Sequence, residues 1–442
     1  MAAADAATLS TAGATQTAFK AAVTGFEILS LGAIAGSISV DAMGFGTFHT
    51  VNETGNAAVN TLTISNLASG DTINITGANT GAGTTTAGST GSGSNDTLNF
   101  GLSQGTAALV DFGTITTPNV ENLAIKMTDS QATPVGYLNT ATIADVSLHT
   151  LTVTGNSGLN VGTLTGATAL TNIDASGVTG AGGLSVTLAA DQYATTIVGT
   201  AGTGSDTINA AAALAAVTIT DNATGTNTIT GASGAYVNTI TAGNGTNTIV
   251  GGAAADVITV GTGISTITGG GGADTINLTA ATHGVDTITY TGANQGGAAL
   301  TITAGGTLAT GDAVTNFHIA TDVINVHAAV VASTSAVASG TLLNSWSITA
   351  DSVFIDTATN LGGAAATVAN VSALIGTVTA AGATNTGFVA IQTNTASNVW
   401  DIFEVITASG VHAGAALATT DTISLVGVIN TNGALAAANF TA

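Results

Sequence analysis

The 442-residue chain carries 24 Asp and Glu against two Lys and no Arg, a formal net charge of −22, and it has no Cys. That balance excludes nucleic acid as a partner, because nothing neutralises phosphates, and it excludes a disulfide framework. With 45% hydrophobic residues, 59 Gly and two Pro, the composition suits a folded chain of short strands and tight turns, and its length suits two or three units.

The first residues, MAAADAATLSTAGATQ, lack both a charged n-region and an apolar h-region. This predicts either cytoplasmic residence or export by a route that does not read an N-terminal signal. No apolar run reaches the roughly 18 residues of a membrane span.

Over residues 1–200 a loose motif recurs with apolar-x-x-apolar-x-apolar spacing. It is seen in FEILSL (Phe26, Leu29, Leu31), VNTLTI (Val59, Leu62, Ile64), VENLAI (Val120, Leu123, Ile125), LHTLTV (Leu148, Leu151, Val153) and LTNIDA (Leu170, Ile173, Ala175). The alternation at each motif's end predicts a strand with one face inward, so this part is read as an irregular β-solenoid. Tracts such as TGAGTTTAGSTGSGSN are assigned to its long turns. Asp71 in GDTINI and Asp96 in NDTLNF resemble single copies of a pattern that later becomes regular.

That regular pattern occupies residues 201–291. Asp206 in GSDTI and Asn227 in GTNTI introduce it. Ile240, Ile249, Ile258, Ile267 and Ile276 then follow at nine-residue steps. Two residues before each stands Asn238, Asn247, Asp256, Ser265 or Asp274. A nine-residue period with one buried aliphatic residue is that of a parallel β-roll with two short strands per eighteen-residue coil. Asn238, Asp256 and Asp274 then share one edge, and Asn247 and Ser265 the other. Beyond Ile276 two registers are open. One keeps the strict step and puts His283 on the second edge; the other inserts three residues and puts Asp286 and Ile288 there.

Residues 292–442 are read as a β-rich cap with a small α+β character. GDAVTNFHIATDVINVHAAV predicts a strand pair closing the roll. GGAAATVANVSALIGTVTAAG predicts a helix with Val368, Val371, Leu374, Ile375 and Val378 on one face.

The chemistry that fits the repeat is calcium binding. GGGGADTIN supplies Gly269, Gly270, Gly272 and Asp274, and matches G-G-x-G-x-D-x-U-x at every fixed position. GGAAADVIT supplies Gly251, Gly252 and Asp256, with Ala254 in the place of the third Gly. Calcium takes six to eight oxygens, Gly frees the turn so that carbonyls can face an ion, and Asp brings charge on a short side chain. An ion between the turns Gly251–Asp256 and Gly269–Asp274 is expected, with Asp206, Asp286, Asp96 and Asp71 as further ligands. The second edge, at Asn247 and Ser265, is expected to hold none. Asp312 and Asp322 suit turn caps better than ligands, His283 suits a surface turn, and Trp346 and Trp400 suit the core or its rim better than a sugar platform.

No H-E-x-x-H and no Gly–Lys pair occurs, and the chain is not read as an enzyme. Carboxylates converging from distant strands stay open as a route to polysaccharide hydrolysis or lysis.

The nonapeptides resemble those of repeats-in-toxin (RTX) proteins exported by type I secretion. Together with LTVTGNSGLNV, LTNIDASGVTGAGGLSVTL, VENLAI and TDTISLVGVINTNGA, they make the chain, from about Phe26 to Ala442, similar to the C-terminal, lattice-forming part of the calcium-dependent surface-layer (S-layer) proteins of Caulobacter-type bacteria. The resemblance implies an extracellular, cell-surface protein. It would self-assemble with Ca²⁺ into a two-dimensional lattice and carry an uncleaved type I secretion signal in residues 292–442. Its partners would be copies of itself and the type I secretion apparatus. Outer-membrane lipopolysaccharide would be reached through a part not evident here, because the helical attachment domain of those proteins has no counterpart in these residues. The alternative reading is an RTX-type secreted adhesin or glycan-binding module.

Overall fold

A computed structural model describes residues 27–42, 48–55, 60–78, 83–90, 93, 95–193, 195–279, 282–290, 295, 300–301, 308, 311–326, 346–348, 352–356, 366–380, 385–394, 398–407, 412–418 and 420–441. They are nearly all β. Two compact units divide at Ala232/Ser233, a boundary distinct from the composition-based limits at residues 200 and 291.

In the first unit successive strands alternate between two parallel sheets, an arrangement consistent with a β-solenoid. Ile28–Ser30, Thr50–Glu53, Thr72–Ile75, Thr97–Gln104, Asn122–Asp129, Thr150–Gly155, Asn172–Val178, Thr196–Val198 and Thr218–Asp221 lie in one sheet. The strands between them, from Ile38–Asp41 to Thr226–Thr230, lie in the other. The register sets the coil length. It is 22 residues at Thr50↔Thr72, lengthens at Thr72↔Asn99, and returns to 22 at Thr196↔Thr218.

The apolar motifs fill the interior. Leu29, Leu31, Leu62, Ile64, Val120, Leu123, Ile125, Leu148, Leu151, Val153, Leu170, Ile173 and Ala175 are all buried. Phe26 and Val59 lie outside the described residues. One expectation is corrected here. The tract assigned to a long turn contains the strand Thr84–Ser89, with Thr85 and Ala87 inward. The β-branched Thr run favours a strand that turns Thr85 and Ala87 inward, and Thr85 Oγ1 donates to the buried Glu53 carboxylate at 3.5 Å.

The second unit opens with the most regular coils. Ile240↔Ile258 and Ile258↔Ile276 stack in one sheet and Ile249↔Ile267 in the other, each with a side chain removed from solvent. The pairs Thr266↔Thr287 and Ile267↔Ile288 select the three-residue insertion, so Asp286 and not His283 continues the second edge. Strands Asp312–Phe317 and Val323–Asn325 then pair in parallel with Thr275–Asn277 and Thr287–Thr289, one on each sheet. The expected strand pair is thus a further coil.

Beyond it the direction of pairing changes. Asn385–Asn394, Val399–Thr407 and Thr422–Thr431 form an antiparallel meander, and the last of these joins Asp312–Phe317 in parallel. Helix Val368–Ile375 packs Val368, Val371 and Ile375 against Val389, Phe403, Val405 and Ile423 of that meander. Val378 does not share the helix face. Gly376 ends the helix at φ +67°, and the β-branched run after it forms strand Thr377–Ala380. Trp400 is fully buried. The side chain of Trp346 lies outside the described residues. Among the described residues no helix is long and apolar enough to cross a membrane.

Candidate metal centres

In the repeat D-x-I the Asp and the Ile are two apart on a strand edge, so both face inward. The structure bears out the consequence: Asp256, Asp274 and Asp312 are each 0–1% exposed. They form a ladder along one edge. Asp256 Oδ1 accepts the Asn238 N–H at 2.6 Å, Asp274 Oδ1 accepts the Asp256 N–H at 2.7 Å, and Asp312 Oδ1 accepts the Asp274 N–H at 3.0 Å. Each rung thereby satisfies the main-chain donor of the coil before it.

Only one oxygen of each carboxylate is used in this way. Asp256 Oδ2 and Asp274 Oδ2 are buried and have no hydrogen-bond partner. Burial pushes the Asp256 carboxyl up to about 6, the Asp274 carboxyl to about 7 and the Asp312 carboxyl to about 8. For Asp274 and Asp312 the neighbouring ladder carboxylate adds to the rise.

The glycines give the free oxygens their room. A Cβ on Gly251 would lie 2.6 Å from Asp256 Oδ2 and would also strike the Gly269 carbonyl, and a Cβ on Gly269 would collide with Asp274 Oδ2. Gly270, at φ +110°, turns the chain directly after. The two turns singled out by sequence therefore present carbonyl and carboxylate oxygens with no room for a side chain between them. Gly252, Ala254 and Gly272 belong to the same turns, where Gly272 also has positive φ.

The second edge continues Asn247 and Ser265 with Asp286 and Asp322. All four are buried. Asp286 Oδ1 accepts the Ser265 N–H at 2.8 Å, and Asp322 Oδ1 accepts the Asp286 N–H at 3.1 Å. This edge therefore also gains carboxylates, one coil beyond Ser265. Asp312 and Asp322, read from sequence as turn caps, are both ladder rungs. Asp322 caps as well, since its Oδ2 accepts the His318 N–H at 2.8 Å. His283 is corrected outright: its side chain is fully buried, 3.2 Å from Asp286 Oδ2.

The remaining sequence candidates are dispersed in the first unit. Asp71 is buried; it pairs with His49 Nδ1 at 2.8 Å and caps its own turn through the Ala68 N–H. Asp96 is half-buried and accepts from Ser89 Oγ. Asp206 is buried and accepts from Leu184 N, Thr200 N and Thr200 Oγ1. Its neighbour Asp221 was not singled out from sequence. Burial, reinforced by Asp206, pushes the Asp221 carboxyl up to about 8. A Cβ on Gly199 would meet both carboxylates, at 2.6 and 2.7 Å. The signal was available: Asp221 lies two residues after buried Ile219 on the same strand face.

No family model matches the chain, and no curated protein and no solved structure matches it.

Proposed function

We propose that the protein is a structural β-solenoid that folds when Ca²⁺ occupies its aspartate edges, and that it self-assembles into a surface-layer lattice outside the bacterial cell. One observation carries the reading. The second unit buries stacked carboxylates at Asp256, Asp274 and Asp312, while residues 233–442 contain ten Asp and Glu and no Lys or Arg. A buried carboxylate needs a compensating charge or a proton. With no Lys or Arg in this unit, a divalent ion is the compensation that would keep the ladder charged where otherwise its raised carboxyls take up protons. Free carboxylate oxygens beside glycine carbonyls are donors of the kind calcium takes.

Asp256 and Asp274, with the carbonyls of the turns at Gly251 and Gly269, would hold the ion. Its contribution is to keep the ladder charged and the coils stacked. At the low calcium of a cytosol the chain would stay loosely folded and threadable through a type I channel; at the roughly millimolar calcium outside it would fold, because the ion binds the folded state alone. The same ions would relieve repulsion between neighbouring acidic subunits.

The test combines circular dichroism with and without millimolar Ca²⁺ and electron microscopy of the loaded sample. Calcium-dependent β structure with ordered sheets is expected. Soluble monomers at every calcium level would sink the lattice reading.

A second reading, an adhesin or glycan-binding module, has its own support. An open groove of about 330 Å³ on the first unit is lined by Asn74, Asn99, Lys126, Thr152 and Thr154, amide and hydroxyl groups of the kind that bond sugar hydroxyls. Retention on a glycan array, lost in Asn74→Ala, without ordered sheets would favour it.

A further inference from the structure

The second edge of the roll contains a group that the calcium reading does not use. His283 Nδ1 lies 2.8 Å from the Gly284 carbonyl oxygen, 3.2 Å from Asp286 Oδ2 and 3.6 Å from Asp322 Oδ1. The three side chains are fully buried, and their ligand atoms lie within 4.8 Å of one another. Asp286 Oδ2 has no hydrogen-bond partner, and neither has His283 Nε2.

From this arrangement we infer that His283, Asp286 and Asp322 form a binding site for a zinc-like divalent transition-metal ion, distinct from the oxygen-lined first edge. Tetrahedral zinc holds nitrogen and oxygen donors at about 2.0–2.2 Å, which places donors roughly 3.3–3.6 Å apart. In the metal-free chain the Nδ1–H donates to the Gly284 carbonyl; an ion would take the place of that proton, with Asp286 Oδ2 at 3.2 Å and Asp322 Oδ1 at 3.6 Å already close to that spacing. The donor set discriminates further. Imidazole is a borderline donor that suits zinc, cobalt and nickel, whereas calcium takes six to eight oxygens. The carboxylates are also held in place from behind. Asp286 Oδ1 accepts from Ser265 N, Asp322 Oδ1 from Asp286 N and Thr321 Oγ1, and Asp322 Oδ2 from His318 N. The His318 ring packs 4.5 Å from that of His283 and limits how far the imidazole can swing. Such outer contacts orient ligands and sharpen affinity.

The sequence alone gives this site no motif. His283, Asp286 and Asp322 become neighbours because the insertion before Asp286 lifts His283 out of the strand register, and because strand Val323–Asn325, just after Asp322, pairs in parallel with Thr287–Thr289.

The test is a Co²⁺ titration of the full chain in saturating calcium, followed by visible absorption. Absorption bands of a low-coordinate Co²⁺ site at one equivalent are expected, bleached by Zn²⁺ and not by more Ca²⁺. His283→Gln should abolish the bands and Asp322→Asn should weaken binding about tenfold or more. His49→Ala, which removes an exposed imidazole that pairs with buried Asp71 in the first unit, should leave them intact. If His283→Gln loses its circular dichroism spectrum, thermal melting of the unaltered chain decides: added Zn²⁺ should raise the melting temperature above that in calcium alone. No bands and no shift in the calcium-saturated protein overturn the inference, as do bands that persist in folded His283→Gln.

Discussion

Asp274 receives the main-chain N–H of Asp256 through Oδ1 at 2.7 Å and leaves Oδ2 buried without a hydrogen bond. One carboxylate thus does two jobs. Its first oxygen closes the backbone of the coil below, and its second is the free donor on which the calcium proposal rests. Removing the charge and removing the acceptor are therefore separable experiments. Asp274→Asn keeps an oxygen that can accept the Asp256 N–H but lacks the charge. Its calcium affinity should fall about tenfold or more, the factor given by ~1.4 kcal/mol. Asp274→Ala should lose the affinity and also destabilise the loaded fold, because the buried Asp256 N–H is left unpaired at a cost of about 1–3 kcal/mol. Calcium titration by calorimetry and denaturant melts of both variants check the ordering.

The space beside the carboxylates is as specific as the carboxylates. Gly269→Ala forces a methyl into Asp274 Oδ2 and should weaken calcium binding with a destabilisation of about 1–3 kcal/mol. Gly36→Ala, where a Cβ meets nothing within 4 Å, should stay within about 0.5 kcal/mol of the parent. Equal effects from the two substitutions would contradict the close approach seen at Gly269.

The isoleucine column should dominate the stability of the regular coils. Ile258 stacks between Ile240 and Ile276 and is fully buried. Ile258→Ala should cost about 2–5 kcal/mol by lost burial and an unfilled cavity. Ile264, on the opposite sheet and 47% exposed, should tolerate Ala far better. Urea melts in calcium measure the difference.

Burial also sets a pH dependence away from the ladders. Asp401 is pushed up to about 7 by burial alone, so the folded state holds a proton that the unfolded chain releases at about pH 4. The folded value is the higher one. The contribution of Asp401 to stability is therefore complete below about pH 4 and is lost as pH rises through about 7. Melting temperatures of the parent and of Asp401→Asn, compared between pH 4 and 8 at the same calcium, isolate this contribution: the parent should lose stability relative to the variant as pH rises. Asp401→Asn needs no proton and so lacks that loss. Glu53, buried in the first unit and likewise raised to about 7, should retain its share of the slope.

Much of this was readable in the chain. The apolar spacing of VENLAI and LHTLTV placed the inward faces because alternation is a local property of a strand. The nine-residue isoleucine step placed the coils, and the Asp two residues before Ile258 and Ile276 placed the first edge. The step was silent on how the coils resume after an interruption. His283 and Asp286 competed for one position, and only the pairing of Ile267 with Ile288 decides between them. Asp312 in GDAV and Asp322 in TDVI repeat the Asp-x-aliphatic step but stand outside the nine-residue period, so the period itself did not mark them as rungs.

The sequence by itself therefore determined the β architecture, the period of the regular coils and the pairing of Asp256 with Asp274, since each depends on residues one strand or one coil apart. Tertiary structure decided the rest. It turned the aspartates inward as acceptors for neighbouring main-chain N–H groups, carried both edges on to Asp312 and Asp322, and buried His283 between two carboxylates. These outcomes depend on register across insertions of variable length. A chain can cross such insertions in many ways, and the packed, hydrogen-bonded sheet selects one.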